Sequence, residues 1–145
     1  FQGYTEDNAN VLIGIGASSI SNLPNGYVQN TIRTIDYINT LKNNKLPISK
    51  GHEIKPNDKI YREIINELMC YLNVDLNQIA KKFGKNINFF SSNIEKLKPF
   101  IDSKYIFFNN FKLIINPEAR PLVRIICSIF DQYFEPKKNM YSFGI

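Results

Sequence analysis

Several residue types that build metal sites and disulfides are scarce in this chain of 145 residues. It contains no Trp, one His and two Cys. A single His cannot supply the two imidazoles of a His-based metal site within one chain. Cys70 and Cys127 lie 57 residues apart, each within an apolar helical pattern. Their placement favours two buried free thiols in a reducing compartment over a disulfide framework.

The sequence also lacks long apolar runs. No stretch approaches the length of about 18 apolar residues that a membrane-spanning helix needs. The first residues lack the charged, apolar and small segments of an export signal. With 43% hydrophobic and 21% charged residues, the composition is that of a globular protein without a membrane partner. We therefore expect a cytoplasmic monomer.

Strong charge of one sign is absent as well. The net charge is +5, and residues 1–50 contribute +1 (4 basic, 3 acidic) while residues 51–145 contribute +4 (14 basic, 10 acidic). A nucleic-acid-binding module usually concentrates its basic residues more than this. The charge distribution therefore predicts no nucleic-acid partner.

The first part of the chain combines strand-like and helical patterns, with few clear signals of where each element begins and ends. The brief apolar run Val11–Ala17, interrupted by glycines, predicts a short buried strand. Residues 21–26 contain Pro, Asn and Gly and predict a loop. From Asn30 an apolar residue recurs every three positions, at Ile32, Ile35, Ile38 and Leu41, which predicts a helix. Residues 46–54 are a connector, and we place a module boundary near Gly51, giving domains 1–50 and 51–145.

The second part predicts three helices. The first begins at Asn57 or Asp58 and buries an apolar face formed by Ile60, Tyr61, Ile64, Ile65, Leu68 and Leu72. Asp75, followed by Gln78 three residues later, predicts the N-terminus of a second, short helix. The third helix is predicted over residues 88–98, ending before Pro99.

A hairpin and a last helix follow these three helices. The β-rich runs 105–108 and 111–115 are joined by Asn109–Asn110, which suits a type I′ turn. Asn116 with Pro117 predicts the start of a helix that ends by Pro136. Its inner face would carry Leu122, Ile125, Ile126, Ile129, Phe130 and Tyr133. The chain is thus predicted to be α+β and mostly helical, with a winged-helix-like order of elements in residues 51–145.

Gly14-x-Gly16 could begin a dinucleotide-binding fingerprint. The third glycine of that motif would fall at position 19, which is Ser19. Because that glycine permits close packing of helix on strand, the motif fails. The simpler interpretation is that the two glycines let another backbone or a ligand approach closely.

The winged-helix order raises nucleic-acid or protein binding as an alternative function. The third helix would then present Ser91, Ser92, Asn93, Glu95, Lys96 and Lys98 outward. This face has two positive charges, one opposing carboxylate and no Arg to read guanine. Lys81, Lys82 and Lys85 add a small basic cluster, so the alternative stays open.

Three polar residues have no role that the sequence decides. His52 stands beside Glu53, without a recognisable Ser or Cys nucleophile, and is interpreted as a surface residue. Arg120 and Arg124 are spaced to share one helix face. They could bind a carboxylate ligand or pair with nearby acidic side chains.

Short motifs across the whole chain nevertheless resemble one family. They are FQGYT at 1–5, LIGIGASSIS at 12–21, GYVQN at 26–30, Arg62 with Ile65, LMC at 68–70, Arg120 with Arg124, and Ile126-Cys127 with Phe130-Asp131 and Tyr133. In order and spacing they resemble the C-terminal third of the oxygen-independent coproporphyrinogen III oxidases, which are radical S-adenosylmethionine (SAM) enzymes. The combination of FQGYT and YVQN resembles the oxidase more than its haem-chaperone relatives, although a haem-handling relative remains possible.

The resemblance implies a fold and a reaction. Residues 1–50 would be the late strand and helix of a partial (β/α) barrel, and residues 51–145 a winged-helix-like C-terminal domain. The family decarboxylates two propionates of coproporphyrinogen III oxidatively to vinyl groups, giving protoporphyrinogen IX. SAM and a [4Fe-4S] cluster generate the radical that this reaction requires.

The resemblance also says which parts of the site are here. The cluster cysteines form a C-x-x-x-C-x-x-C run that this chain lacks, so they would lie in a preceding catalytic domain of the same polypeptide. The resemblance implies no catalytic or metal-binding residue in this part, and no cofactor bound by it alone. One SAM-contacting isoleucine of the family matches Ile20, and Gln2 and Ser18 are weaker candidates.

Overall fold

A computed structural model describes residue 4 and residues 9–134 of the chain. It divides into two compact units, residues 1–59 and 60–145, and the boundary falls inside a helix, Pro56–Tyr71, most of which belongs to the second unit.

The first unit is a three-stranded antiparallel sheet with one helix. Strands β1 (Ile20–Leu23), β2 (Gly26–Asn30) and β3 (Ile48–Glu53) pair in the order β1-β2-β3. Helix α1 (Thr34–Lys42) connects β2 to β3. The predicted connector is therefore an edge strand, and the predicted boundary at residues 50–51 falls inside it.

The predicted loop over residues 21–26 is wrong, because these residues form a hairpin. Leu23 pairs with Gly26, so Pro24 and Asn25 alone make the turn between β1 and β2. Both residue types suit a tight turn, since Pro presets its φ and Asn tolerates turn conformations. The turn residues were recognised, but the strands on either side were not.

The predicted buried strand over residues 11–17 is also wrong. Leu12 makes an isolated bridge with Asn22, and Ile13 and Ile15 are 65% and 86% exposed. The chain then turns at residues 16–18, where Gly16 and Ser18 have φ of 107° and 61°. This reversal delays the regular strand until Ile20.

Helix α1 is confirmed, but none of its residues is buried. It starts at Thr34, four residues later than expected, and its residues are all exposed or half-buried. The apolar side chains that the period places together are exposed: Ile32, Ile35, Ile38 and Leu41. We call these four residues the isoleucine face.

The second unit packs helices against a three-stranded sheet. Its elements follow in the order α2 (Pro56–Tyr71), β4 (Asn73–Asp75), α3 (Leu76–Lys82), a 3-10 helix (Ile87–Phe90), α4 (Ser91–Asp102), β5 (Ile106–Asn109), β6 (Lys112–Ile115), a 3-10 helix (Pro117–Leu122) and α5 (Val123–Ser128). The sheet order is β4-β6-β5, and both pairings are antiparallel. The strand between the first two helices thus joins the later hairpin.

The apolar periods of this unit do form its core. Helix α2 buries Ile60, Ile64 and Leu68, as predicted. The Asp75 side chain accepts a hydrogen bond from the backbone N–H of Gln78 at 3.1 Å, which confirms the predicted start of α3. The largest fully buried side chains are Phe90, Phe130, Ile60, Ile64, Leu68, Leu76, Leu97, Ile106, Leu113, Ile115, Ile126 and Val74.

The end of the third helix and the position of the hairpin turn differ from prediction. Helix α4 continues through Pro99 to Asp102, because Phe100 and Ile101 still pack against the core. The hairpin turn lies one residue later, at Asn110–Phe111, where both φ values are positive as a type I′ turn requires.

The last predicted helix is in fact a 3-10 helix followed by α5, which ends at Ser128. Within it Ile125 is exposed, contrary to prediction, whereas Ile126 is fully buried. Residues 129–134, which were predicted to continue this helix, lie in turns or irregular backbone. Residues 135 and 136 lie outside the described residues. The observed fold is therefore mixed helix and sheet. Among the described residues, no helix has the length and apolar character needed to cross a bilayer.

Candidate functional site

The predicted ligand-contacting residues surround a tight backbone reversal, residues 14–19, which we call the glycine loop. A Cβ on Gly14 would lie 2.7 Å from the carbonyl oxygen of Ile20, so this backbone approach requires glycine. A Cβ on Gly16 would make only an ordinary van der Waals contact, at 3.5 Å. Glycine is needed at this position because the backbone φ is 107°. The two glycines therefore serve different purposes.

Asn30, the last residue of β2, holds the inside of the glycine loop. Its side chain is buried, with 8% of the residue exposed. The Nδ2 group donates to the carbonyl oxygens of Gly14 at 3.1 Å and Gly16 at 2.9 Å. Its backbone N–H donates to the carbonyl oxygen of Ser19 at 2.9 Å. One residue thus fixes three backbone carbonyls of the loop.

Neighbouring elements hold the outside of the loop. The Gly16 N–H donates to the Tyr37 hydroxyl of α1 at 3.1 Å, and the Gly14 N–H donates to the Ser21 hydroxyl at 3.0 Å. The Ser18 carbonyl accepts from the Gln29 side chain at 3.1 Å. The loop is consequently bonded to β1, β2 and α1, although it has no regular secondary structure.

The structure places two of the three predicted SAM-contacting residues at this loop. Ile20 is half-buried at the start of β1, opposite Gln29. Ser18 is exposed at the tip of the reversal. Gln2 lies outside the described residues.

Most polar backbone groups of the loop are already bonded within the protein. The Ser18 side chain and the apolar side chains of Ile13 and Ile15 are exposed in or next to the loop. Such a surface offers apolar contact, shape and one hydroxyl to a ligand. It supplies no group that could exchange a proton near neutral pH.

The thiol of Cys127 is poorly suited to bind a metal ion. Cys127 is buried, and burial raises the pKa of its thiol to about 12. Cys70 is half-buried on α2. Across the described residues, no group of three His, Cys, Asp or Glu side chains could hold a metal ion.

The other polar candidates lie on different elements of the fold. His52 is exposed on β3, opposite Tyr27. Arg120 lies in a 3-10 helix, whereas Arg124 lies in α5, and both are exposed. Because a 3-10 helix has about three residues per turn, the predicted single helix face is interrupted between these two arginines.

The basic cluster of the second unit is partly neutralised. The Lys82 Nζ lies 2.7 Å from a Glu63 carboxylate oxygen. On α4, the Lys98 Nζ lies 4.0 Å from Glu95. The Lys85 Nζ lies 5.2 Å from the centre of the Phe89 ring. These contacts reduce the charge available to an anionic partner.

Sequence reasoning missed the residues that hold the loop. Asn30 lies in the GYVQN motif, but neither that motif nor the sequence around Tyr37 indicates their common partner Gly16, which lies 14 and 21 residues away along the chain. The available signal was a polar residue at the end of a strand. Such a residue needs a hydrogen-bond partner when it is buried.

Comparison with known proteins gives a consistent result. No family model matches the chain. It is 33% identical over 142 residues to the oxygen-independent coproporphyrinogen III oxidase of Bradyrhizobium diazoefficiens, covering 98% of this chain and 32% of that protein. It is 36% identical over 141 residues to the anaerobic coproporphyrinogen III oxidase 1 of Cereibacter sphaeroides, covering 94% of this chain and 30% of that protein.

A solved structure agrees with these relatives. Coproporphyrinogen III oxidase (HemN) from Escherichia coli, described as a radical SAM enzyme, matches with a TM-score of 0.84 and 25% identity. The match covers 92% of this chain and 31% of that one. The chain thus spans about a third of the length of the proteins it matches. Over nearly all of its residues it is similar to the oxygen-independent coproporphyrinogen III oxidases, which confirms the family resemblance predicted from its sequence.

Proposed function

We propose that this chain is the C-terminal part of an oxygen-independent coproporphyrinogen III oxidase and supplies one wall of its SAM site. The full enzyme would convert two propionates of coproporphyrinogen III to vinyl groups, giving protoporphyrinogen IX. The observation that carries the proposal is the glycine loop. Its segment matches the family motif, and its backbone is held rigidly with Ile20 and Ser18 beside it.

The loop suits SAM, whereas the chain does not suit the iron–sulfur cluster. When bound at its cluster, SAM supplies the 5′-deoxyadenosyl radical. Ile20 would contribute apolar contact and shape to SAM, and Ser18 a hydroxyl. The cluster needs three closely spaced thiolates, and the chain has only two cysteines, 57 residues apart. We expect those ligands in a preceding domain of the longer protein.

The isoleucine face supports the proposed barrel edge. Four apolar side chains along α1 and the turn before it are exposed, and a soluble helix normally buries such a stripe. The similar proteins are about three times as long as this chain. We infer that the preceding domain of the same polypeptide covers this face, as barrel strands would.

The order of elements supports a winged-helix-like assignment for the second unit. A strand between the first two helices pairs with the second strand of the later hairpin. We propose that this module packs on the barrel in the full protein. The coproporphyrinogen III substrate and the barrel would then be its main partners.

The proposal is tested by two substitutions at Ile20 in the full-length protein. Ile20→Val removes one methylene-sized group and should cost about 1 kcal/mol at most. Ile20→Asp would place an unpaired carboxylate in a partly desolvated site and should abolish most SAM cleavage. The measurement is SAM cleavage per cluster under anaerobic, reducing conditions.

Iron and sulfide content serves as the control for this experiment. It should match wild type in both variants, because the cluster ligands lie elsewhere. Normal SAM cleavage in the Asp variant would show that Ile20 does not line the site.

A winged-helix module that binds nucleic acid is the second candidate, favoured by the order of elements alone. The Lys98–Glu95 and Lys82–Glu63 pairs weaken it. A lysine that is paired with a carboxylate contributes less to phosphate binding, and so less to affinity at physiological salt. A gel-shift titration with submicromolar duplex binding and a steep salt dependence would favour this candidate over the oxidase.

A further inference from the structure

We propose that Asn30 is a positioning residue, which fixes the glycine loop so that Ile20 and Ser18 meet SAM in one geometry. The inference rests on the proposed function of this loop. It concerns a residue that is itself buried beneath the loop and acts through Gly14 and Gly16.

The backbone of the loop needs such support. Gly16 and Ser18 both have positive φ, at 107° and 61°. For a non-glycine residue this conformation is unfavourable by about 1 kcal/mol or more, and it persists only where surrounding structure enforces it. Ser18 therefore depends on bonds elsewhere in the loop.

Asn30 is chemically matched to this task. Its amide nitrogen has two hydrogens, and two carbonyl oxygens lie at 3.1 and 2.9 Å, those of Gly14 and Gly16. A carboxylate at the same place would present an oxygen to these carbonyls, so it would replace attraction by repulsion. Asparagine and aspartate have nearly the same shape, which makes the exchange a selective probe of the hydrogen bonds.

The path from Asn30 to the ligand is short. Gly14 approaches the Ile20 carbonyl so closely that a Cβ would lie 2.7 Å from it. A shift of the Gly14 carbonyl therefore moves the backbone of Ile20. Tyr37 acts on the same loop from α1, since its hydroxyl accepts from the Gly16 N–H at 3.1 Å.

The experiment uses the full-length protein with its cluster reconstituted, and two readouts. Equilibrium dialysis with labelled SAM gives the dissociation constant, and hydrogen exchange without SAM reports the amides of residues 14–21. Asn30→Asp should weaken SAM binding about 10- to 100-fold, since two hydrogen bonds to partly buried carbonyls are lost. Tyr37→Phe removes one acceptor and should weaken binding about fivefold. Both variants should exchange the loop amides faster than wild type.

Asn25→Asp is the matched control, because it makes the same chemical change in the exposed turn of the same hairpin. It should leave SAM binding and loop exchange unchanged. If Asn30→Asp does not fold, Tyr37→Phe decides the question by the same two readouts.

Two results separate this inference from the function on which it rests. Wild-type SAM affinity in the Asn30 and Tyr37 variants, with weak binding in Ile20→Asp, would overturn the positioning role alone. Wild-type affinity in Ile20→Asp would overturn the SAM-site proposal itself. Weakened binding without faster loop exchange would also overturn the positioning role, because Asn30 would then act by another route.

Discussion

Replacing Gly14 by Ala tests the close approach on which the glycine loop depends. The new Cβ would lie 2.7 Å from the Ile20 carbonyl oxygen, 2.9 Å from the Ile20 carbonyl carbon and 2.9 Å from the Ser19 Cβ. Two of these atoms are backbone, so no flexible side chain can move aside. Inserting a methyl group into such a site typically costs about 1–3 kcal/mol. The opening equilibrium of the loop and β1 should rise by about 5- to 150-fold, since every 1.4 kcal/mol is about tenfold.

Gly51→Ala provides the control within the same sheet. Its Cβ would meet the nearest atoms at 3.8 and 3.9 Å, which is ordinary contact. That substitution should be neutral or stabilise by up to about 1 kcal/mol, because alanine has fewer unfolded conformations than glycine. Hydrogen exchange of peptides covering residues 12–30 in the 145-residue chain measures both variants. Equal protection in the two variants would refute the described approach of Gly14 to Ile20.

Three further predictions concern the second unit. Leu68→Ala should lower the free energy of unfolding by about 2–5 kcal/mol, because Leu68 is fully buried. Leu46→Ala is the control from the first unit: Leu46 is 79% exposed, so this change should have little effect. Urea denaturation measures both variants. Cys127 should resist iodoacetamide at pH 8 while Cys70 reacts first, because Cys127 is buried. The free energy of unfolding should also fall as the pH rises from about 9 towards 12, because in that range the Cys127 thiol ionises only in the unfolded chain. Burial raises the pKa of Glu67 above its usual 4.5, so Glu67→Gln should stabilise the chain at pH 7. Thermal melts should show this gain shrinking as the pH falls through the raised pKa towards 4.5, and lost below 4.5; an equal gain at pH 3 would contradict the assignment.

The second unit was largely predictable because its signals are local. The period of α2 marks its buried face, and the Asp75 cap acts on a residue three positions away. The misplaced end of α4 has a tertiary cause. Packing of Phe100 and Ile101 outweighs the tendency of Pro99 to end a helix.

The first unit was less predictable because an apolar pattern does not say what will cover it. Residues 11–17 are as apolar as a buried strand, yet Ile13 and Ile15 are exposed. The β1–β2 hairpin has polar residues on both strands, so period alone did not separate its strands from its turn. In such segments the partner decides the burial, and the partner is not encoded locally.

The residues of the candidate site were likewise predictable only in part. Ile20 and Ser18 were identified by family resemblance, and the structure places both at one loop. The role of Asn30 could not be predicted, because it depends on hydrogen bonds to Gly14 and Gly16, which precede it by 16 and 14 residues in the chain. Only the folded backbone brings those carbonyl groups to one amide.

The isoleucine face also makes helix α1 a reporter of assembly. An isolated helix of nine residues is shorter than the roughly 12–15 residues needed for marginal stability in water, so α1 depends on its surroundings. We expect its amides to exchange within seconds to minutes in the separate 145-residue chain. In the longer protein the same amides should be among the slowly exchanging ones, since their opening would require undocking. Exchange at residues 34–42 would then measure how tightly the chain is joined to the rest of its enzyme.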